Sequence, residues 1–383
     1  MKKVSVTVLV LWISMMVVTG AMAAEPLGIA LCAPMSGGAA SWGKKAEVGT
    51  RFVIDRINAA GGVIPKGETQ ARMLTLIEVA DDKNDPREGA AIAQRFVDNP
   101  KILAMVGPIT STVALAGAPI MNRHGLTMVA IGATAPAYTQ AGPYSFRVCP
   151  TDAFQGRYMA NWVKKQGKWS RYAVIYVNDD YGRGLSEVFK KGLKDVGIPE
   201  SAIVSSEAYL PNDTDFSVQL TKIKNLRADA IFIAGHYKEG ALIARQSKEL
   251  GLNAQILGTD GIGHPEYIKV AGKASEGTIY LGYFSLIDKR PYIQKWAEEF
   301  KKKFNQDPGL VEGLAHDCVL LIAKAIEIGG ANRKDLNAGL TSIGSTTPSV
   351  MGVMGENKFD ENGDVVRDML VFIVKDGIAV LHE

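Results

Sequence analysis

Cysteine is scarce in this chain. Cys32, Cys149 and Cys318 are the only three in 383 residues, and no two are close in sequence. They give neither a disulfide framework nor the paired spacing of a zinc site. Cys32 and Cys318 sit inside apolar patterns, where a thiol serves as a small buried hydrophobe. Histidine is equally thin: His124, His236, His264, His316 and His382 are dispersed, with no H-E-x-x-H pairing, so no metal site is expected. A G-x-S-x-G nucleophile elbow is missing. Met35-Ser36-Gly37-Gly38 does not supply the glycine pattern of a dinucleotide-binding turn. No catalytic residue and no cofactor are therefore expected. Charge of one sign is lacking too, with 43 basic against 40 acidic side chains. Without a basic face or charge run, nucleic acid is excluded as a partner.

Long apolar runs are absent except at the start. Lys2 and Lys3 precede an apolar stretch from Val4 to Val18, closed by Thr19-Gly20-Ala21-Met22-Ala23-Ala24. A basic start, a short apolar core and small residues before a cut describe a secretory signal peptide over 1–24, cleaved near residues 23–24. The stretch is interrupted by Ser5, Thr7 and Ser14 and falls short of the ~20 apolar residues a spanning helix needs. Cys32 follows Leu31, so no lipid anchor is expected. The remaining chain, with 41 basic and 40 acidic side chains, is expected to be soluble outside the cytoplasm.

What the chain has is a repeated grammar. Short apolar runs at Leu27–Cys32, Met73–Ala80, Ile102–Gly107 and Leu126–Ile131 alternate with helical patterns at Lys44–Ala60, Arg87–Asp98 and Thr112–His124. The grammar restarts after Phe154–Gln166, with strands at Tyr172–Val177, Ala202–Tyr209, Ala230–Ala234 and Gln255–Gly258. Alternation of this kind predicts βαβ units and a parallel sheet covered by helices on both faces. About 360 residues exceed what one core usually serves. The fold class is thus α/β, with two doubly wound parallel-sheet lobes. Three helical stretches follow Thr278–Tyr283, and then β structure at Phe359–Gly363 and Met369–Val380 with Lys375-Asp376-Gly377 as a hairpin turn. No low-complexity linker separates the lobes. The expected division is 25–149 with 284–351 against 150–283 with 352–383. A hinge of three crossings is expected near Arg147–Thr151, Leu281–Ser285 and Gly352–Lys358.

In open α/β sheets, ligands sit beyond the carboxyl ends of the strands. After the first strand, Gly38-x-x-x-x-Gly43-Lys44 resembles a phosphate loop. Lys45 stands where a magnesium-binding Ser or Thr should be, and Trp42 would crowd the cradle. A turn presenting Trp42 to a cleft is the better reading. Ser111, at the start of a helix after Pro108-Ile109-Thr110, offers a hydroxyl beside free backbone N–H groups, a site for a carboxylate. Ordinary capping by Thr110 or Ser111 is the alternative. Gly132, Ala133 and Thr134 reach the same sheet edge. In the second half, Tyr181, His236 and Asp260 follow strands. Asp260 suits an ammonium, or is a turn aspartate.

These segments together resemble the periplasmic branched-chain amino acid-binding proteins, a branch of the type I periplasmic binding proteins. The resemblance runs from "MSGGAASWG" through "VGPITS", "GATAPAYT", "NDDYGRG", "IAGHYKEG" and "LGTDGIG" to "FDENGD". It implies a carboxylate-binding serine at Ser111 and a threonine meeting both carboxylate and ammonium at Thr134. It implies a backbone contributor at Gly132, a closing tyrosine at Tyr181, an ammonium-binding acid at Asp260 and a loop aromatic at Trp42. The family's disulfide positions hold Asn84 and Thr110. A second-lobe tyrosine falls on His236, with Tyr237 adjacent, and Val311 and Glu312 replace apolar or aromatic pocket residues. The implied protein is a periplasmic monomer that captures an amino acid by lobe closure and presents it to the permease and ATPase subunits of an ABC transporter. A secreted sensing domain, or a binder of another small carboxylate, is the alternative. The altered pocket predicts a preference other than leucine, isoleucine or valine; Glu312 either pairs with a basic or amide-bearing side chain or is a solvated helix residue.

Overall fold

A computed structural model describes residues 24–382, and the signal-peptide reading lies almost wholly outside them. In chain order the first stretch holds β1 (Leu27–Ala33), α1 (Ala40–Ala59), β2 (Leu74–Asp81), α2 (Pro86–Asp98), β3 (Ala104–Val106), α3 (Ser111–His124), β4 (Thr127–Ala130) and β5 (Ser145–Arg147). The strands pair in parallel in the order β2-β1-β3-β4-β5. Every residue of β1, β3 and β4 is buried, which is why these segments read as continuous apolar runs.

The second stretch repeats the pattern. It comprises α4 (Asp152–Gln166), β6 (Tyr172–Val177), α5 (Asp180–Asp195), β7 (Ile203–Tyr209), α6 (Ser217–Asn225), β8 (Ala230–Ala234), α7 (Tyr237–Glu249), β9 (Gln255–Gly258), α8 (Pro265–Ala271) and β10 (Ile279–Gly282). Then come α9 (Pro291–Phe304), α10 (Leu310–Ile328), α11 (Arg333–Ser342), the pair β11 (Val350–Gly352) and β12 (Gly355–Asn357), and finally β13 (Leu370–Lys375) and β14 (Ile378–Leu381). The second sheet runs β14-β13-β10-β9-β8-β6-β7, with β13 and β14 added antiparallel at one edge. Asp376 and Gly377, both left-handed at φ 52° and 75°, make the hairpin turn.

α10 and α11 return to the first sheet. α10 crosses α1 closely because residue 49 is glycine: a Cβ there would stand 2.7 Å from the Glu312 carbonyl oxygen. On α11, Arg333 donates to the carbonyls of Val97, Asn99 and Ile102 at 2.7–3.0 Å. Asn337 meets the Thr127 hydroxyl of β4 at 3.0 Å.

The chain passes between the sheets after β5, after β10 and before β13. The last passage differs from the expected extended piece at 352–358. Val350–Asn357 folds into the β11–β12 hairpin because the buried carboxylate of Asp317 accepts the N–H groups of Val353 and Met354 at 2.8 and 3.2 Å. Residues 359–365 form a turn with a single bridge, Phe359 to Val365, in place of the expected strand. Asp360 accepts from Asn362 N–H and Asp364 N–H, both at 2.9 Å, and so curls this segment. Two arginines tie the passages sideways. Arg147 bonds Asp364 at 2.5 Å, and Arg367 donates to the Val148 carbonyl at 3.2 Å.

Candidate ligand-binding cleft

The carboxyl ends of the two sheets face one another across a cavity. Six of the expected residues line it: Trp42, Ser111, Gly132, Tyr181, His236 and Asp260. Ala133 and Thr134 lie directly behind this wall, both buried.

On the first-lobe side, α3 begins at the cavity without a side-chain cap, whereas Asp85, Thr151 and Asp179 cap α2, α4 and α5. Thr110 does not cap the helix, and Ser111 Oγ accepts instead from Ala135 N–H at 3.1 Å. Accepting that bond leaves the hydroxyl hydrogen as a donor. A free hydroxyl and an uncapped helix start together favour an anion. The loop bearing Thr134 is held carbonyl by carbonyl. Arg147, fully buried, donates Nη1 to Ala133 O at 2.8 Å and Nη2 to Ala135 O at 2.9 Å. Asp152 N–H takes Thr134 O at 2.9 Å.

On the second-lobe side the wall is acidic and aromatic. Asp260 is partly exposed to the cavity and accepts from the Tyr283 hydroxyl at 3.1 Å. Burial pushes its carboxyl up to about 6, against the opposing hydrogen bonds of Gln155 and Tyr283. Asp152 was missed by the sequence reading. It is fully buried at the start of α4, and neither carboxylate oxygen has a hydrogen-bond partner. Thr134 Oγ1 faces it without closing a bond and is itself unpartnered. Burial, and then the charge of Asp260, push Asp152 up to about 8. One buried acid, one partly exposed acid and an unsatisfied hydroxyl make a pocket short of one cation that donates hydrogen bonds.

Aromatic rings close the mouth. The His236 ring stacks on Tyr181 at 5.1 Å and 7°, and its Nε2 lies 3.9 Å from Asp179. Of the adjacent pair, His236 therefore faces the cavity. Tyr237 turns to the rim, where its hydroxyl donates to the Gly38 carbonyl at 3.0 Å. Trp42 meets His236, Tyr237 and His264 edge-on at 5.1, 4.8 and 6.4 Å. The first turn of α1 thus touches three rings carried by the second sheet's segments.

The remaining lining is Lys45, His264, Pro265, Gly309, Leu310, Val311, Glu312 and Leu314, among others. Glu312 is fully buried and already used. Lys45 Nζ donates to its Oε1 at 2.7 Å and Gly309 N–H to its Oε2 at 3.0 Å. It is not free for a basic ligand side chain, contrary to the expectation. His264 accepts from Glu266 N–H at Nδ1, 3.1 Å, so its hydrogen sits on Nε2. Burial, and then the charge of Lys45, push it down to about 3 and keep it neutral. Trp42 and Lys45 stand one turn apart on α1, a spacing that could have drawn attention to Lys45.

All three cysteines are free and buried. Among the described residues no cluster of His, Cys, Asp or Glu is arranged to hold a metal ion, and no helix is long and apolar enough to cross a membrane.

A family model described as "Periplasmic binding protein" matches residues 26–378. A leucine-, isoleucine-, valine-, threonine- and alanine-binding protein of Pseudomonas aeruginosa is 31% identical over 347 residues, 90% of this chain and 88% of that one. A Leu/Ile/Val-binding protein of Rhizobium johnstonii is 35% identical over 260 residues, 68% of each chain. The crystal structure of a leucine-binding protein from Thermotoga maritima superposes with a TM-score of 0.83 at 30% identity, covering 93% of this chain and 98% of that one.

Proposed function

The chain belongs to the periplasmic binding protein family, and from that premise we propose that it is the solute-binding component of an ABC importer for an α-amino acid. Among its relatives, a branched-chain amino acid transporter substrate-binding protein of Streptococcus pneumoniae is described in complex with isoleucine. One observation carries the reading to this chain. The cavity has a neutral donor wall at Ser111 and the α3 N-terminus, and across from it the acid Asp260, with the unpartnered, fully buried carboxyl of Asp152 nearby. A carboxylate and an ammonium on one carbon complement both walls at once.

The mechanism is a population shift, without covalent chemistry. In the open form each wall meets water. A zwitterion touches both walls only when they close, so closure is favoured by that differential contact. A micromolar ligand supplies ~8 kcal/mol in total, part of it spent in bringing the lobes together. Closure moves 25–149 with 284–351 against 150–283 and the last two strands. Residues 352–365 travel with the first lobe, because they pack on Asp317 and Arg147. The closed monomer would then meet the permease and ATPase subunits in the periplasm.

The test is calorimetry with a panel of α-amino acids and, for each one that binds, its 2-oxo acid and the corresponding amine. Binding of the zwitterion alone is expected. Equal binding of the 2-oxo acid would overturn the amino-acid reading in favour of a carboxylate binder.

A further inference from the structure

The cavity lining carries a charged group that the zwitterion does not use. Lys45 lines the cavity, its side chain about a quarter exposed. One of its three N–H donors goes to Glu312, and among the described residues no other hydrogen bond engages it. Both oxygens of Glu312 are occupied, by Lys45 and by Gly309 N–H. The second polar group nearby, His264, is neutral and directs its remaining hydrogen toward Ser41 Oγ, 3.5 Å away. The end of the pocket around Lys45 therefore presents the donors of Lys45 and His264, its one carboxylate, Glu312, being fully buried and already engaged, among walls made of Trp42, Leu310, Val311 and Leu314. With Ser111 fixing the carboxylate and Asp260 the ammonium, a side chain pointing away from both is directed into this end.

We propose that Lys45 reads the tip of the ligand's side chain, and that the cleft selects amino acids ending in a hydrogen-bond acceptor, the amide or carboxylate class. This rests on the amino-acid reading above. An acceptor at the tip satisfies a donor that Glu312 leaves open. A hydrocarbon tip of the same length strips water from that ammonium without replacing it. A basic tip meets a like charge whose counter-ion is already engaged.

The experiment is a calorimetric series on the full mature protein with glutamine, glutamate, norleucine and lysine. Glutamine and glutamate are expected to bind at least ten-fold more tightly than norleucine, with lysine weakest. In the Lys45→Met/Glu312→Gln double variant, which removes both charges together and leaves no buried carboxylate unpaired, norleucine should bind at least as tightly as glutamine. Norleucine matching glutamine in the unaltered protein, or an unchanged ranking in the double variant, would overturn the assignment of Lys45 alone. Failure of every α-amino acid to bind would overturn the reading of the cleft and this inference with it.

Discussion

The two walls of the cleft solve recognition in different ways. The first-lobe wall is made of a helix start, a hydroxyl and a loop whose carbonyls are held from behind by Arg147. Its donors are several, weakly polar and partly redundant. The second-lobe wall concentrates its chemistry in the partly exposed carboxyl of Asp260, the buried carboxyl of Asp152 and stacked rings. Redundant donors tolerate loss of one member, and an empty neutral wall costs the protein little. A buried charge is unforgiving in both respects: its removal abolishes one specific partner, and its presence without that partner destabilises the fold.

The largest expected effect separates the walls directly. Asp260→Asn should weaken amino-acid binding by ~3 kcal/mol or more, the scale on which an ion pair buried in protein is broken. The same change should raise the thermal midpoint of the ligand-free protein, because it relieves the Asp152–Asp260 repulsion. Calorimetry and a melting curve on one sample give both signs, and a variant that binds normally would reduce Asp260 to a turn residue. Ser111→Ala should cost less, ~1.5–2 kcal/mol, since a hydrogen bond to a charged group is lost while the backbone donors remain. A loss as large as that of Asp260→Asn would erase the contrast between the walls.

Acidity sharpens the comparison, because only one wall titrates. With Asp260 raised to about 6, the free protein takes up a proton there as pH falls, and the ligand ammonium must displace it. Affinity should drop by about 1.4 kcal/mol for each pH unit below 6. Stability runs the other way. Asp152 and Asp260 bind protons more tightly folded than unfolded. Their contribution is therefore full below about pH 4 and is lost as pH rises through 6 and 8. Melting of the ligand-free protein from pH 5 to 8 checks the sign. A flat profile would mean that the acids are hydrated or paired. The smallest effect belongs to the rim. Tyr237→Phe removes the bond to Gly38 O and should weaken binding by ~0.5–1 kcal/mol through the closed state alone, seen as a more expanded ligand-free form in solution scattering.

Elements with an unambiguous pattern were legible without coordinates. Tyr172–Val177, Ala230–Ala234 and Gln255–Gly258 are strands with the expected ends, since continuous apolar runs bounded by polar turns leave no other period. Six of the eight expected site residues reach the cavity because all follow strands of a doubly wound sheet. What stayed hidden were polar groups whose partners are remote in sequence. Asp152 looks like any acid opening a helix, yet it is fully buried. Glu312 resembles a solvated helix residue, and only the crossing of α1 and α10 brings Lys45 to it. Arg147 and Arg367 find their partners at Asp364 and Asn357 only through the fold, and the hairpin at 350–357 depends on Asp317, which no local pattern reveals.

The seat of α10 on α1, permitted by Gly49, also dictates an order of events during synthesis. The first sheet is complete once β5 has been made, but one face of it is covered only in part, by α1, until residues 310–342 emerge, after the whole of β6–β10. The second sheet waits longer still, for β13 and β14 at the very end. Neither lobe can fold to completion as an autonomous unit, so the long-range contacts that delay folding fall last in time. A chain cut after residue 283 should expose the apolar underside of its first sheet, and it should bind the aggregation-reporting dye that the full chain ignores.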